Sequence, residues 1–205
     1  MGGVISAECT NEEVYLFQKL MRQSIGTPHV DSSARFGYIN AVSALTEVFG
    51  TARLARYEDI LKADCLLVFA GEMTETNPIT ALKVKEAIRN NKTKLITVAP
   101  YSGRRETYIS HLPNLAQRHL EIRVGSENAA ILGLTKALLS DASSSDIPHA
   151  LLLKMQTAAA SIAFEVIEVV CGVSEQQFRE AAAMFRQAER AVIIVGRSVL
   201  RGEGG

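Results

Sequence analysis

The run Cys65-Leu66-Leu67-Val68-Phe69-Ala70 constrains the fold more than any other segment of the chain. An apolar stretch without polar alternation has no face to leave in water. It is also too short for a buried helix, so it fits a central strand of a parallel sheet covered on both sides. Similar runs recur at Lys94 to Val98 and Ala191 to Val195, and Leu120-Glu121-Ile122-Arg123-Val124 adds a further strand candidate. Stretches of helical periodicity separate them, and strands alternating with helices argue a doubly wound parallel α/β sheet. Right-handed crossovers then place helices on both of its faces.

The helices carry their own punctuation. Thr10-Asn11-Glu12-Glu13 has the form of a capping box, in which the threonine oxygen accepts one free N–H and the glutamate another. Val14, Phe17, Leu20 and Met21 follow at helical spacing, and Gly26 is the expected stop. A second helix is expected from Ala34 to Phe49, ending at Gly50. Asn77 caps the next, with Pro78 at its first position, where a missing N–H costs nothing. A short helix is expected around Thr107 to His111, and Ser126 caps the helix from Glu127 to Leu139. One long helix from Ala150 to Cys171 and another capped by Ser174 and Gln177 precede the returning strand. Residues 141–149, rich in serine and aspartate, read as a linker. The expected organisation is a Rossmann-like domain over 1–140, this linker, and 150–205 as a helical segment with its strand. Gly3-Val4-Ile5-Ser6 reads as the end of a buried strand close to Met1, and a strand at the other end has no helix after it. Both suggest a piece of a longer protein.

Composition removes several function classes. Lysine plus arginine equals aspartate plus glutamate at 22 each, so no electrostatic argument favours nucleic acid or an anionic membrane. Apolar residues make up 47% of the chain, enough for a substantial core. Cys9, Cys65 and Cys171 lack the close spacing of an iron–sulfur or zinc site and read as thiols in a reducing cytoplasm. His29, His111, His119 and His149 have no metal-ligand spacing. The sequence has no G-x-S-x-G, P-loop or G-x-G-x-x-G motif, and nominates no nucleophile. Ala150 to Cys171 is interrupted by Lys154, Glu165 and Glu168, whereas a membrane span needs about 20 mostly apolar residues. The start Met1-Gly2-Gly3 lacks the features of a signal peptide.

Several segments, in order, resemble molybdopterin oxidoreductases over most of residues 4–140. Ala7-Glu8-Cys9-Thr10-Asn11-Glu12-Glu13-Val14-Tyr15-Leu16-Phe17-Gln18-Lys19-Leu20 is similar to the family's A-R-C-T-N-E-E-N-Y-L-x-Q-K-L segment. Ile25 to Tyr38 resembles I-G-T-N-N-V-D-H-C-A-R-L-C-H, and Ala63 to Pro78 resembles A-D-C-I-L-V-I-G-S-N-P-T-E-T-H-P. Lys94 to Pro100 resembles K-L-I-V-I-D-P, and Arg123 to Glu127 resembles R-P-G-T-E. The pattern is nearest to formate dehydrogenase alpha subunits and to the large iron–sulfur subunit of NADH–quinone oxidoreductase. The resemblance implies a formate dehydrogenase-like central domain, with iron–sulfur clusters only in domains that precede it.

The departures bear on chemistry. Gly37 and Tyr38 stand where the resemblance places the molybdenum-binding cysteine and the proton-transferring histidine. Glycine has no donor atom, and the reference tyrosine pKa of about 10 makes it a poor base at neutral pH. Ala99 stands where the family's aspartate would accept hydrogen bonds from the nucleotide end of the pterin cofactor. Arg104 and Arg105 read as solvated surface arginines, with phosphate contact as the competing reading.

Two turns between a strand end and a helix N-terminus have the geometry of an anion site. They hold Gly71, Thr74, Glu75 and Asn77 in one and Gly125 and Ser126 in the other, which are the candidate, vestigial cofactor-binding residues. An ordinary βα loop is the competing reading for both, and Glu72 and Glu75 oppose a phosphate. No catalytic or metal-binding residue is nominated. The resulting expectation is a non-catalytic scaffold domain of an NADH–quinone oxidoreductase large subunit, cytoplasmic, held at the inner membrane through partner subunits. The parent assembly would be an NADH dehydrogenase acting on quinone. The alternative is a domain that binds molybdopterin guanine dinucleotide in a formate dehydrogenase-like enzyme. Arg190 to Arg197 alone suggests a third possibility, the central domain of thiamine-dependent enzymes.

Overall fold

The computed structural model describes residues 1–36, 38–51, 54–70, 73–100, 111–140 and 149–200. The chain forms two compact units, residues 1–52 and 53–204.

In the first unit, β1 (Gly3–Ile5) precedes α1 (Asn11–Lys19), β2 (Val30–Ser32) and α2 (Ile39–Phe49). The capping box forms as read: Thr10 Oγ1 accepts from the Glu13 N–H at 3.3 Å, and Glu13 Oε2 accepts from the Thr10 N–H at 2.8 Å. α1 does not stop cleanly but widens into a π-helical turn, Leu20–Ser24, before Gly26 reverses the chain at φ 78°. β1 pairs in parallel with β2. The expected buried strand is therefore one half of a two-stranded ribbon, with Val4 72% exposed. β2 has no apolar run and was not legible in the sequence. The expected helix over 34–49 divides into a 3₁₀ turn, Ser33–Phe36, and α2, which ends at Gly50 with φ 70°.

The second unit opens with α3 (Tyr57–Lys62), β3 (Cys65–Phe69), α4 (Met73–Thr76), α5 (Pro78–Asn91) and β4 (Lys94–Pro100). It continues through α6 (Leu112–Leu115), β5 (Arg118–Ile122), α7 (Glu127–Leu139), α8 (His149–Ala160), α9 (Phe164–Cys171), α10 (Glu175–Arg186), β6 (Ala191–Val195) and α11 (Arg197–Leu200). The expected helix at 107–111 lies outside the described residues except for His111, which caps α6. Of the linker expected at 141–149, residues 141–148 also lie outside them, while His149 opens α8.

All four strands are parallel, in the order β5-β4-β3-β6. Successive side chains of a strand point to opposite faces, and the core follows that alternation. Leu66 and Val68 of β3 pack with Leu95, with Ile60 of α3, and with Ala81, Val84 and Ala87 of α5. Cys65, Leu67 and Phe69 pack on the other face with Ile96, Val98, Leu120 and Ile122, beneath α7, α9 and α10. Both faces of β3 are thus buried, as its unbroken apolar run requires, and the fold is the doubly wound parallel sheet. Full burial of each large aliphatic side chain contributes about 1.5–3 kcal/mol.

Three expectations need correction. The last strand, read as having no helix after it, is followed by the short helix α11. β6, read as a buried strand, is an edge strand with Ile193 53% exposed, because among the described residues it pairs only with β3. An apolar run reports hydrophobicity, not whether a second neighbour is present. The long helix over 150–171 is broken between α8 and α9. Lys136 of α7 donates to Ala159 O at 2.9 Å and Ile162 O at 2.6 Å, satisfying carbonyls that a continuous helix would have used internally. The capping box of α10 forms as expected, with Ser174 Oγ accepting from the Gln177 N–H at 3.3 Å.

Candidate functional site at the carboxyl edge of the sheet

The strand order places a topological switch between β3 and β6. From β3 the chain proceeds to β4 and β5 on one side, and β6 then returns to the other. In open α/β sheets, ligands bind outside the carboxyl ends of the strands at such a point. Here the two strand ends are tied closely: the Gly196 N–H donates to Phe69 O at 2.7 Å. A Cβ at residue 196 would lie 3.0 Å from both Ala70 Cβ and Phe69 O, so only glycine fits without displacement. Gly196 was not among the candidate residues; a glycine directly after an apolar strand was its only sequence signal.

From Met73 onward the chain is helical rather than an open loop. Gly71 lies outside the described residues, while Met73 to Thr76 form the helical turn α4. The Asn77 N–H is spent on Met73 O at 2.9 Å, and Asn77 Oδ1 accepts from Thr76 Oγ1 at 3.1 Å. Asn77 holds the cap position of α5 with Pro78 after it, but its side chain makes no capping bond. Glu75 is exposed. Thr74 Oγ1 is buried and has no hydrogen-bond partner among the described residues. The same holds for Nδ1 of His111, only 4% exposed, on the segment that follows β4. Among the described residues these two buried polar atoms thus lack partners, and a buried polar group without one costs about 1–3 kcal/mol.

The second candidate turn follows β5. Gly125 takes φ 80°, a left-handed conformation that suits glycine. Ser126 stands at the cap position of α7, yet its hydroxyl turns back and donates to Arg123 O at 2.6 Å. That oxygen does not cap the helix. The Arg123 N–H donates to Cys171 O at 2.9 Å and its guanidinium to Val169 O, which fastens the end of α9 to the end of β5. Glu121 to Val124, Cys171 and Gly172 line a shallow groove there. β4 separates β5 from β3, so the two candidate turns follow strands about 10 Å apart at ordinary strand spacing.

Thiol chemistry is not prepared at either face of the sheet. Burial pushes the Cys65 thiol up to about 11, with the Asp64 carboxylate adding to the effect. Burial likewise raises Cys171, although a hydrogen bond to Val173 opposes it. Among the described residues, no group of three or more histidine, cysteine, aspartate or glutamate side chains is arranged to hold a metal. Ala99 is buried near the end of β4. Gly37, Arg104 and Arg105 lie outside the described residues. No described helix is long and apolar enough to cross a membrane.

The family model for molybdopterin oxidoreductases matches residues 1–205. The alpha subunit of an NADPH-Fe(3+) oxidoreductase from Geobacter sulfurreducens is 30% identical over 209 residues, covering 98% of this chain and 24% of that protein. The alpha subunit of an F420-dependent formate dehydrogenase from Methanocaldococcus jannaschii is 27% identical over 203 residues, covering 95% of this chain and 28% of the relative. An NADH-quinone oxidoreductase subunit from Rhizobium meliloti is 30% identical over 144 residues, covering 68% of this chain and 15% of the relative. Among solved structures, acetylene hydratase from Pelobacter acetylenicus superposes with a TM-score of 0.68 at 19% identity, covering 96% of this chain and 26% of that one, a likeness of fold. The chain thus spans about a quarter of the length of the first two relatives. A model match across the whole chain establishes that it belongs to the molybdopterin oxidoreductase family.

Proposed function

We propose that this chain is a non-catalytic scaffold domain in the large subunit of an NADH–quinone oxidoreductase-like assembly. The observation that carries this reading is Gly37, at the position where the resemblance expects a molybdenum-binding cysteine. A glycine supplies no thiolate, so the residues at this position do not fit the metal. Ala99 points the same way for the nucleotide, since a methyl group accepts no hydrogen bond. On this reading the parent assembly carries electrons from NADH toward quinone, and this domain contributes packing and contacts to other subunits. It holds no iron–sulfur cluster itself. It resides in the cytoplasm and meets the membrane only through its partners, and it has no role with nucleic acid.

A second reading is favoured by the unsatisfied Thr74 Oγ1 and His111 Nδ1. Buried polar atoms without partners ask for an explanation, and a bound guanine dinucleotide would supply one. Thr74 could donate to or accept from such a group and His111 could meet a polar edge, while the candidate turns at Asn77 and Gly125–Ser126 would border it. When bound with its metal, the pterin cofactor supplies oxygen-atom or hydride chemistry in its own right. This chain's residues would only hold and orient it.

Purification from a host that makes the molybdenum cofactor separates the readings. Molybdenum is measured by mass spectrometry and pterin by oxidative release and fluorescence. The scaffold reading expects neither at stoichiometric level. Stoichiometric pterin without molybdenum supports the second reading, and molybdenum in equal amount overturns the first.

A further inference from the structure

We draw no further inference here: the strongest candidate, the exposed valine face of α9 formed by Val166, Val169 and Val170, carries none because nothing in the structure shows what covers it.

Discussion

Gly133 of α7 lies against the ring of Phe178 of α10 so closely that a Cβ at residue 133 would sit 2.7 Å from Phe178 Cζ. Phe178 is fully buried and contacts the Phe164 ring with centroids 6.3 Å apart, so it has no open space to retreat into. The absence of one side chain sets how near the two helices approach.

Gly133→Ala therefore opposes two effects. Replacing a helical glycine by alanine gains about 1 kcal/mol in propensity, whereas overpacking a filled core costs about 1–3 kcal/mol. Because the contact is below 3 Å and the ring is confined, the clash prevails, and a net loss of about 1 kcal/mol is expected in urea unfolding. Shrinking the partner with Phe178→Leu in the same chain should recover part of the loss attributed to residue 133. Equal or greater stability for Gly133→Ala alone would show that the helices separate freely.

Lys136 reaches from α7 to the carbonyls that end α8 and lies 5.4 Å from the centroid of the Phe164 ring. Lys136→Met keeps the apolar stem and removes the donors. It should cost about 1–3 kcal/mol and speed amide exchange at residues 161–167 more than in α5. Uniform acceleration across the second unit would instead mean that the lysine stabilises no particular turn.

The amino edge of the sheet depends on Asp64. Its carboxylate accepts from the Glu189 N–H at 2.8 Å and the Arg190 N–H at 3.1 Å, joining the start of β3 to the turn before β6. The Glu189 hydrogen bond is the largest cause holding its pKa below the ordinary 3.8. A depressed carboxylate pKa stabilises the fold above the unfolded value, and this contribution is lost as the pH falls through the folded value. Asp64→Asn should lower stability at neutral pH by about 1 kcal/mol or less, since the site is exposed and screened. Between pH 5 and the acid limit its unfolding midpoint should fall less steeply than that of the parent. Parallel pH profiles for the two proteins would remove Asp64 from the account.

The cysteines should differ in reactivity. Cys65 and Cys171 are buried with raised pKa values, so both stay protonated near pH 8, and the thiolate is the reactive form. Cys9 is partly exposed. Iodoacetamide at pH 8 should label Cys9 alone in the folded protein and all three residues in urea, read by peptide mass spectrometry. Rapid native labelling of Cys65 would mean that the sheet opens far more often than its packing implies.

Features written within a few residues of one another were legible from the chain alone. The capping boxes at Thr10–Glu13 and Ser174–Gln177, the glycine that ends α2, and the buried run at Cys65–Phe69 each depend on local hydrogen bonding or on hydrophobicity per residue. The parallel α/β class followed from their alternation, and the family from its motifs. Tertiary structure decided the remainder. β6 is an edge because β3 is its one neighbour among the described residues, and α8 stops where a lysine from another helix takes its carbonyls. Ser126 turns its hydroxyl to Arg123 rather than to its own helix, and Gly196 meets Ala70 only because the chain returns beside β3. Such outcomes depend on which distant groups arrive within hydrogen-bonding or van der Waals range, and periodicity along the chain carries no record of those distances.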